Sequence, residues 1–498
     1  MYAKKFSIEQ ITIAILLGLG ILLPLIQFLY NRSLWLDEAW VALNIIHKGY
    51  FELLKPLDYV QVAPILFLII EKFFSTLIPN SEYGLRLFPL LSYWASLFFF
   101  YKTIKILFNN KIATIFALSL FVLNVMLIYY SSEAKQYMSD VLVYTGTVYF
   151  ILKDYRNERT KLYILSIVAA LAIGLSNVAP IILSVAGLYL LYEQFYLKKQ
   201  KNGITGLAIV FIIWLTLFTV YYYFFIFNHP AKELMNSYWT WMSGFLQFDS
   251  PGNFVASLNY MVRSTILKMF SFQIVLKVIA AILLIAGIFS IIRKKQTGLA
   301  ILACSPIIIH LLLSGLHLYP FSLRLVLYLQ PALIFICTAG FMHIITWLSF
   351  RFKSLNPKLF CLTPIIFLFS FQEFPAKHVA EFMEVKETIK YLKENASDNE
   401  TIYVYWFAGP SFQYYQDIGL ADFQVPVIIG KENRLFTHVD PSDFLKELEK
   451  IHGKCWLYFH RNSWGDEEYI INYFDSMGYK KIKEYKTRDS SIYLYDIK

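Results

Sequence analysis

The feature that most limits what this chain can become is a succession of long apolar runs, near residues 8–30, 83–107, 111–129, 138–152, 162–176, 179–197, 204–227, 272–292, 299–316, 322–345 and 359–374. A helix needs roughly 17 to 25 mostly apolar residues to cross a hydrocarbon layer about 30 Å thick. No water enters that layer, so each backbone N–H and C=O must be paired inside the fold, and a helix pairs them within one segment. These runs predict a polytopic α-helical membrane protein with about eleven transmembrane helices. Composition agrees, since 57% of the 498 residues are hydrophobic and mean hydropathy is +0.50, outside the range of soluble domains. Cys304, Cys337, Cys361 and Cys455 are too few and too scattered for a disulfide framework or a thiolate metal site.

Charge divides the chain in two. Residues 375–498 hold 16 Lys and Arg against 20 Asp and Glu, leaving 29 basic and 15 acidic residues upstream. The whole-chain net charge of +10 therefore hides a membrane part at +14 and a C-terminal part at −4, and an excess of Lys and Arg in a membrane part marks cytoplasmic loops and is no sign of nucleic-acid binding. Clusters at Lys4/Lys5, Lys102/Lys105/Lys111, Lys153/Arg156/Arg159/Lys161, Lys198/Lys199/Lys201, Arg293/Lys294/Lys295 and Arg351/Lys353/Lys358 fall at every second loop. One orientation satisfies them all: N-terminus in the cytoplasm, C-terminal region outside, in the cytoplasmic (inner) membrane. The first run is long and has no small-residue cleavage site, so it is expected to stay as an anchor.

Two domains are expected, a membrane domain at 1–374 and an extracytoplasmic α/β domain at 375–498. In the first outer loop, 31–82, "DEAWVALNIIHKG" and "VAPILFLIIEKFFSTLIP" read as helices lying at the membrane interface. In the C-terminal domain "TIYVYWFA", "VPVIIG", "CWLYFH" and "SIYLYDI" read as strands alternating with helices, which predicts a mostly parallel layered sheet. Its aromatic run "YVYWFAGPSFQYY" reads as core under a helix in preference to a sugar-stacking surface.

Ionisable side chains are nearly absent from the middle of the runs. His310 and Gln330 approach that depth and read as hydrogen-bonded structural groups. Charge gathers at the outer ends of the spans, at Asp37, Glu38, Asp58, Arg86, Glu133, Lys135, Asp140 and Arg324. A transporter or flippase, the alternative function, keeps its charges near the midplane, so the pattern favours chemistry at the outer face. Adjacent helical residues point about 100° apart, so one of Asp37 and Glu38 faces a cleft; Asp37 is taken as the working carboxylate and Glu38 as its support. As a structural alternative, Asp37 caps a helix beginning at Glu38. Asp37 and Asp58, from separate short helices, form an oxygen-ligand pair for a divalent cation, Mg²⁺ or Mn²⁺, or a base and its positioner. Lys135 and Arg324 suit a lipid phosphate, the planar Arg324 fork better than an ammonium. Arg86 is expected to pair with an acid of the first loop.

"LWLDEAW" after the first run, "SEYGLRLFPLLSYWASLFFFYKTIKILF" and "SSEAKQY" together resemble the GT-C polyprenyl-phosphate-dependent glycosyltransferases of the protein O-mannosyltransferase, aminoarabinose-transferase and rhizobial Rgt-like kind, over roughly residues 8–190. The resemblance implies an inverting hexosyl or pentosyl transfer from a lipid-linked sugar donor to a hydroxyl of a glycan, lipid or protein acceptor, with Asp37 as catalytic base and Glu38 beside it. Glu133, Lys135 and Tyr137 stand where the family reads Glu-x-Arg-x-x-Tyr, with lysine replacing arginine. Where many members carry His-Pro-Pro or Lys-Pro-Pro this chain has "QVAP".

Overall fold

The computed structural model describes residues 6–199, 203–227, 229–268, 270, 274–322, 324–353, 357–368, 384–431, 442–460, 465–487 and 489–497. Lys4/Lys5, Lys201, the end of the eleventh expected run from 369 and residues 376–383 of the expected first C-terminal helix lie outside them. The chain forms two compact units: residues 1–29, 50–73 and 86–373, and residues 30–49, 74–85 and 374–498.

The first unit is helical. Six described helices are long and apolar enough to cross a membrane: Ile8–Leu29, Ala179–Leu197, Ile204–Phe227, Ile274–Arg293, Thr297–Gly315 and Leu327–Arg351. Lys111–Val122 and Tyr137–Leu152 are shorter apolar helices, so these criteria do not fix the count at eleven. Helix ends follow side-chain caps. Asn110 accepts from the amides of Ile112 and Ala113, Asn124 from Leu127 and Asn157 from Thr160, each satisfying an amide that has no partner inside the helix. Asn124 thereby splits the expected run 111–129 into helices at Lys111–Val122 and Val125–Tyr130. At "SNVAP" the chain turns: the Ala179 amide donates to the Ser176 carbonyl, and Pro180 lies in the first turn of the next helix, where its missing N–H is no loss.

Two glycines set the closest helix approach in this unit. A Cβ at Gly287 would stand 2.0 Å from the Ile336 carbonyl oxygen, and one at Gly340 would stand 2.1 Å from that of Leu283. Helices in lipid gain little from apolar burial against each other, so small residues that let backbones touch are what hold such pairs together. Around this contact Phe100 stacks on Phe121 at 4.6 Å and Phe116 on Phe341 at 3.8 Å between ring centroids.

In the second unit the C-terminal segment builds a five-stranded sheet from β1 (Glu400–Val404), β2 (Val427–Ile429), β3 (Gly453–His460), β4 (Lys480–Lys486) and β5 (Ser490–Ile497), in the order β2-β1-β3-β5-β4. β1 pairs parallel with β2 and β3, through crossover helices at Gly409–Asp417 and Ser442–Leu448. The expected parallel core is present, but β5 runs antiparallel to β3 and β4 antiparallel to β5, so the sheet is mixed. β4, "KKIKEYK", was not among the expected strands because it lacks alternating apolar residues. It is an exposed edge strand, and lysines there discourage pairing with another chain. The aromatic run is core: Tyr403, Tyr405, Tyr414 and Tyr415 are buried. The strand tyrosines find acids on the surrounding helices, Tyr403 with Glu447 at 3.0 Å, Tyr495 with Asp475 at 2.9 Å and Tyr405 with Asp466.

Gly340→Val and Gly287→Val are expected to force these two helices apart at a loss of about 1–3 kcal/mol each, read as a lowered thermal unfolding midpoint of the detergent-solubilised protein.

Candidate functional site

In the second unit, Asp37 and Glu38 lie in the first turn of the Leu36–His47 helix. Trp35 is the N-cap and contributes no capping side chain, so Asp37 is not the cap; it is one residue inside the helix, where a carboxylate interacts favourably with the helix dipole. Glu38 is fully buried, with the guanidinium of the equally buried Arg32 at 3.8 Å. Asp37 is only half-buried. Glu38 is thus turned into the protein against a cation, while Asp37 is partly accessible. The helix itself is largely buried and packs against Gly409–Asp417.

The other expected residues fall in the first unit, and Glu133 and Lys135 sit in the turns at residues 131–136. Residues 131–136 form turns, and the helix begins at Tyr137. Glu133 is buried in these turns. Asp140 lies in the helix's first turn, accepting the Ser176 hydroxyl at 2.6 Å. Lys135 is almost entirely buried, and its ammonium donates to Gln61 Oε1 at 2.7 Å. Gln61 is the first residue of the "QVAP" stretch, so the departure from the family pattern supplies the partner of the substituted lysine. The backbone just before it is strained. Tyr59 and Val60 both have positive φ, 61° and 56°, a conformation a β-branched residue adopts only where its surroundings impose it. Asp58 precedes them and is exposed, while Arg86 is buried in the first turns of the Glu82–Phe108 helix.

Arg324 comes from the turn after the Thr297–Gly315 helix. Its guanidinium lies over the ring of Trp239 at 5.5 Å, a cation–π contact strengthened by the burial of Trp239. The turn is pinned from three sides. His310 is bonded at one ring nitrogen to the Tyr328 hydroxyl (2.9 Å) and at the other to the Pro320 carbonyl (3.1 Å). The Phe321 amide donates to the Gly244 carbonyl at 2.6 Å, and Ser314 donates to that same carbonyl while accepting from the Leu246 amide. His310 is thus structural, as expected. Gln330 is fully buried with no hydrogen-bond partner for its amide among the described residues, in contrast with the expectation.

Tyr130 joins the parts. Its ring meets Tyr137 edge-on at 5.3 Å. Burial holds its phenol well above the ordinary value; the Glu133 carboxylate raises it further, and the Arg324 guanidinium opposes the rise. Loss of water likewise raises the Tyr319 phenol, reinforced by Asp140 and Tyr137. Both phenols remain protonated donors beside Glu133, Asp140 and Arg324. Sequence reasoning did not single out Gln61, Tyr130, Ser176, Trp239 or Tyr319, for aromatic and small polar residues at loop ends carry no signal until the loops meet. Among the described residues no group of three or more His, Cys, Asp or Glu side chains could hold a metal ion.

The family model of dolichyl-phosphate-mannose-protein mannosyltransferases matches residues 62–223, which include the turns at 131–136. No curated protein matches. Among solved structures, ArnT from Cupriavidus metallidurans bound to undecaprenyl phosphate is 11% identical, with 97% of each chain covered and a TM-score of 0.57. The Archaeoglobus fulgidus oligosaccharyltransferase in complex with Zn and sulfate is 14% identical, with 90% of this chain and 67% of that chain covered and a TM-score of 0.50. These findings bear out the resemblance to GT-C glycosyltransferases and the helical membrane fold with a small C-terminal sheet domain.

His310→Leu removes the ring that ties Tyr328 to Pro320 and leaves a buried hydroxyl without this partner. A loss of about 1–3 kcal/mol is expected, measured as thermal unfolding in detergent.

Proposed function

We propose that this protein is an integral-membrane inverting glycosyltransferase that moves a sugar from a polyprenyl-phosphate-linked donor to an acceptor hydroxyl at the outer face of the cytoplasmic membrane. The observation that carries the reading is a pair of restrained cations, Lys135 held by Gln61 and Arg324 held over Trp239. The family match, and a fold shared with a chain crystallised with undecaprenyl phosphate, support it.

In the reaction the acceptor oxygen bonds to the anomeric carbon while its proton passes to the Asp37 carboxylate. The bond from that carbon to the phosphate oxygen breaks on the opposite face, and the electron pair leaves with the lipid phosphate. The phosphate gains negative charge as the bond breaks. Cations held in place beforehand stabilise that charge most in the transition state, since they need no reorganisation when it appears. A phosphate leaves without a strong general acid, so one base and two cations suffice. Asp37 is preferred over Glu38 as base because Glu38 is committed to Arg32. Glu133 and Tyr137 serve as supports through Tyr130. A divalent cation, Mg²⁺ or Mn²⁺, remains the cofactor of this reading. The described residues offer such an ion no set of three His, Cys, Asp or Glu ligands, and no step above passes through one.

Asp37→Asn is expected to lower consumption of lipid-linked sugar in membranes by roughly 10²–10⁴-fold at normal protein levels, the usual contribution of a general base; wild-type turnover would remove the enzyme reading. Arg324→Lys and Trp239→Ala are expected to raise KM for the donor, on the order of tenfold for the former, because a lysine loses the planar fork and the ring contact. An unchanged KM in both would separate these residues from the phosphate.

A further inference from the structure

The approach to the Asp37 helix is an irregular segment. Residues 31–35 have no regular structure, Asn31 has a φ of 46°, and the N-cap Trp35 provides no capping side chain. The first amides of any helix lack partners inside it and depend on what lies outside. Here the support comes from residues more than 350 positions away in the chain.

Tyr415, fully buried on the Gly409–Asp417 helix, accepts the Leu34 amide at 2.8 Å and donates to Glu82 at 2.9 Å through the same hydroxyl. Lys386 pairs with Glu82 at 2.5 Å, and its ammonium donates to the Asn31 carbonyl at 2.8 Å while lying 5.9 Å from the centre of the Tyr415 ring. Its backbone amide donates to the Ser33 hydroxyl at 3.1 Å. At the far end of the Asp37 helix, His47 Nε2 lies 2.9 Å from Asp417, on the same helix as Tyr415. One short helix of the α/β domain thus holds the Asp37 helix at both ends, and Lys386 anchors the segment that leads into it.

We infer that the C-terminal α/β domain is a positioning element for catalysis, and that Tyr415 and Lys386 fix the Asp37 helix through the segment 31–35. The inference rests on the assignment of Asp37 as base. The geometry requires that hydroxyl: without it the Leu34 amide and a Glu82 oxygen lose a partner in a buried setting, and the chain before Asp37 can shift. A displacement of about 1 Å at a reacting group is enough to slow a reaction substantially.

The test uses the full-length protein in detergent with a lipid-linked sugar donor. For Tyr415→Phe, hydrogen exchange at amides 34–40 is expected to accelerate about tenfold, and kcat to fall by about the same factor with KM for the donor unchanged. Lys386→Met should do likewise and Lys386→Arg should restore both readouts; this pair decides the matter if Tyr415→Phe fails to fold. Wild-type exchange, or faster exchange with wild-type kcat, overturns the inference. Asp37→Asn measured alongside separates the two readings. If it is inactive while Tyr415→Phe behaves as wild type, only the positioning role fails. If Asp37→Asn retains turnover, the assignment of Asp37 fails and takes this inference with it.

Discussion

A backbone amide in the hydrocarbon layer of a membrane has no water to turn to, and the rest of this structure follows from that constraint. It confines the spanning segments to helices and removes most of the hydrophobic incentive for those helices to associate. What remains is contact between backbones, seen where Gly287 meets the Ile336 carbonyl and Gly340 meets that of Leu283. It also drives polar chemistry to the ends of the helices, so that turns and caps carry the groups able to act on a substrate.

Those groups are restrained by one another. Lys135 is held by Gln61, Arg324 by the Trp239 ring, and Asp140 by Ser176. A buried charge without partners is costly, and one with fixed partners is already oriented when a reaction calls on it. His310 locks the turn from which Arg324 projects. The left-handed backbone at Tyr59 and Val60 shows the same economy, with local strain maintained by surroundings that leave the chain no other course.

The C-terminal segment is a domain by composition and something more by contact. Its sheet has its own core, in which strand tyrosines are satisfied by acids on the helices. Its compact unit nevertheless includes residues 30–49 and 74–85, so part of its packing is supplied by chain hundreds of residues earlier in the sequence. Tyr415 illustrates the relation: a side chain in the core of one segment completes the backbone hydrogen bonding of another.

Hydropathy and charge determined by themselves that this chain is a polytopic membrane protein with a separate, acidic α/β segment, because apolar length and Lys/Arg bias are one-dimensional properties. They also located the polar stretches of interest: Asp37 and Glu38, the "SSEAKQY" turn, and Arg324. They did not reveal β4, whose lysines conceal a strand, nor the pairing of Glu38 with Arg32, which depends on where Arg32 lies in the folded chain. Gln61, Trp239, Tyr130 and Tyr415 became visible only in the folded chain. Gln61, Trp239 and Tyr415 each act on a group tens to hundreds of residues distant, and a hydrogen bond or a ring contact exists only when the fold brings its two halves within a few ångströms.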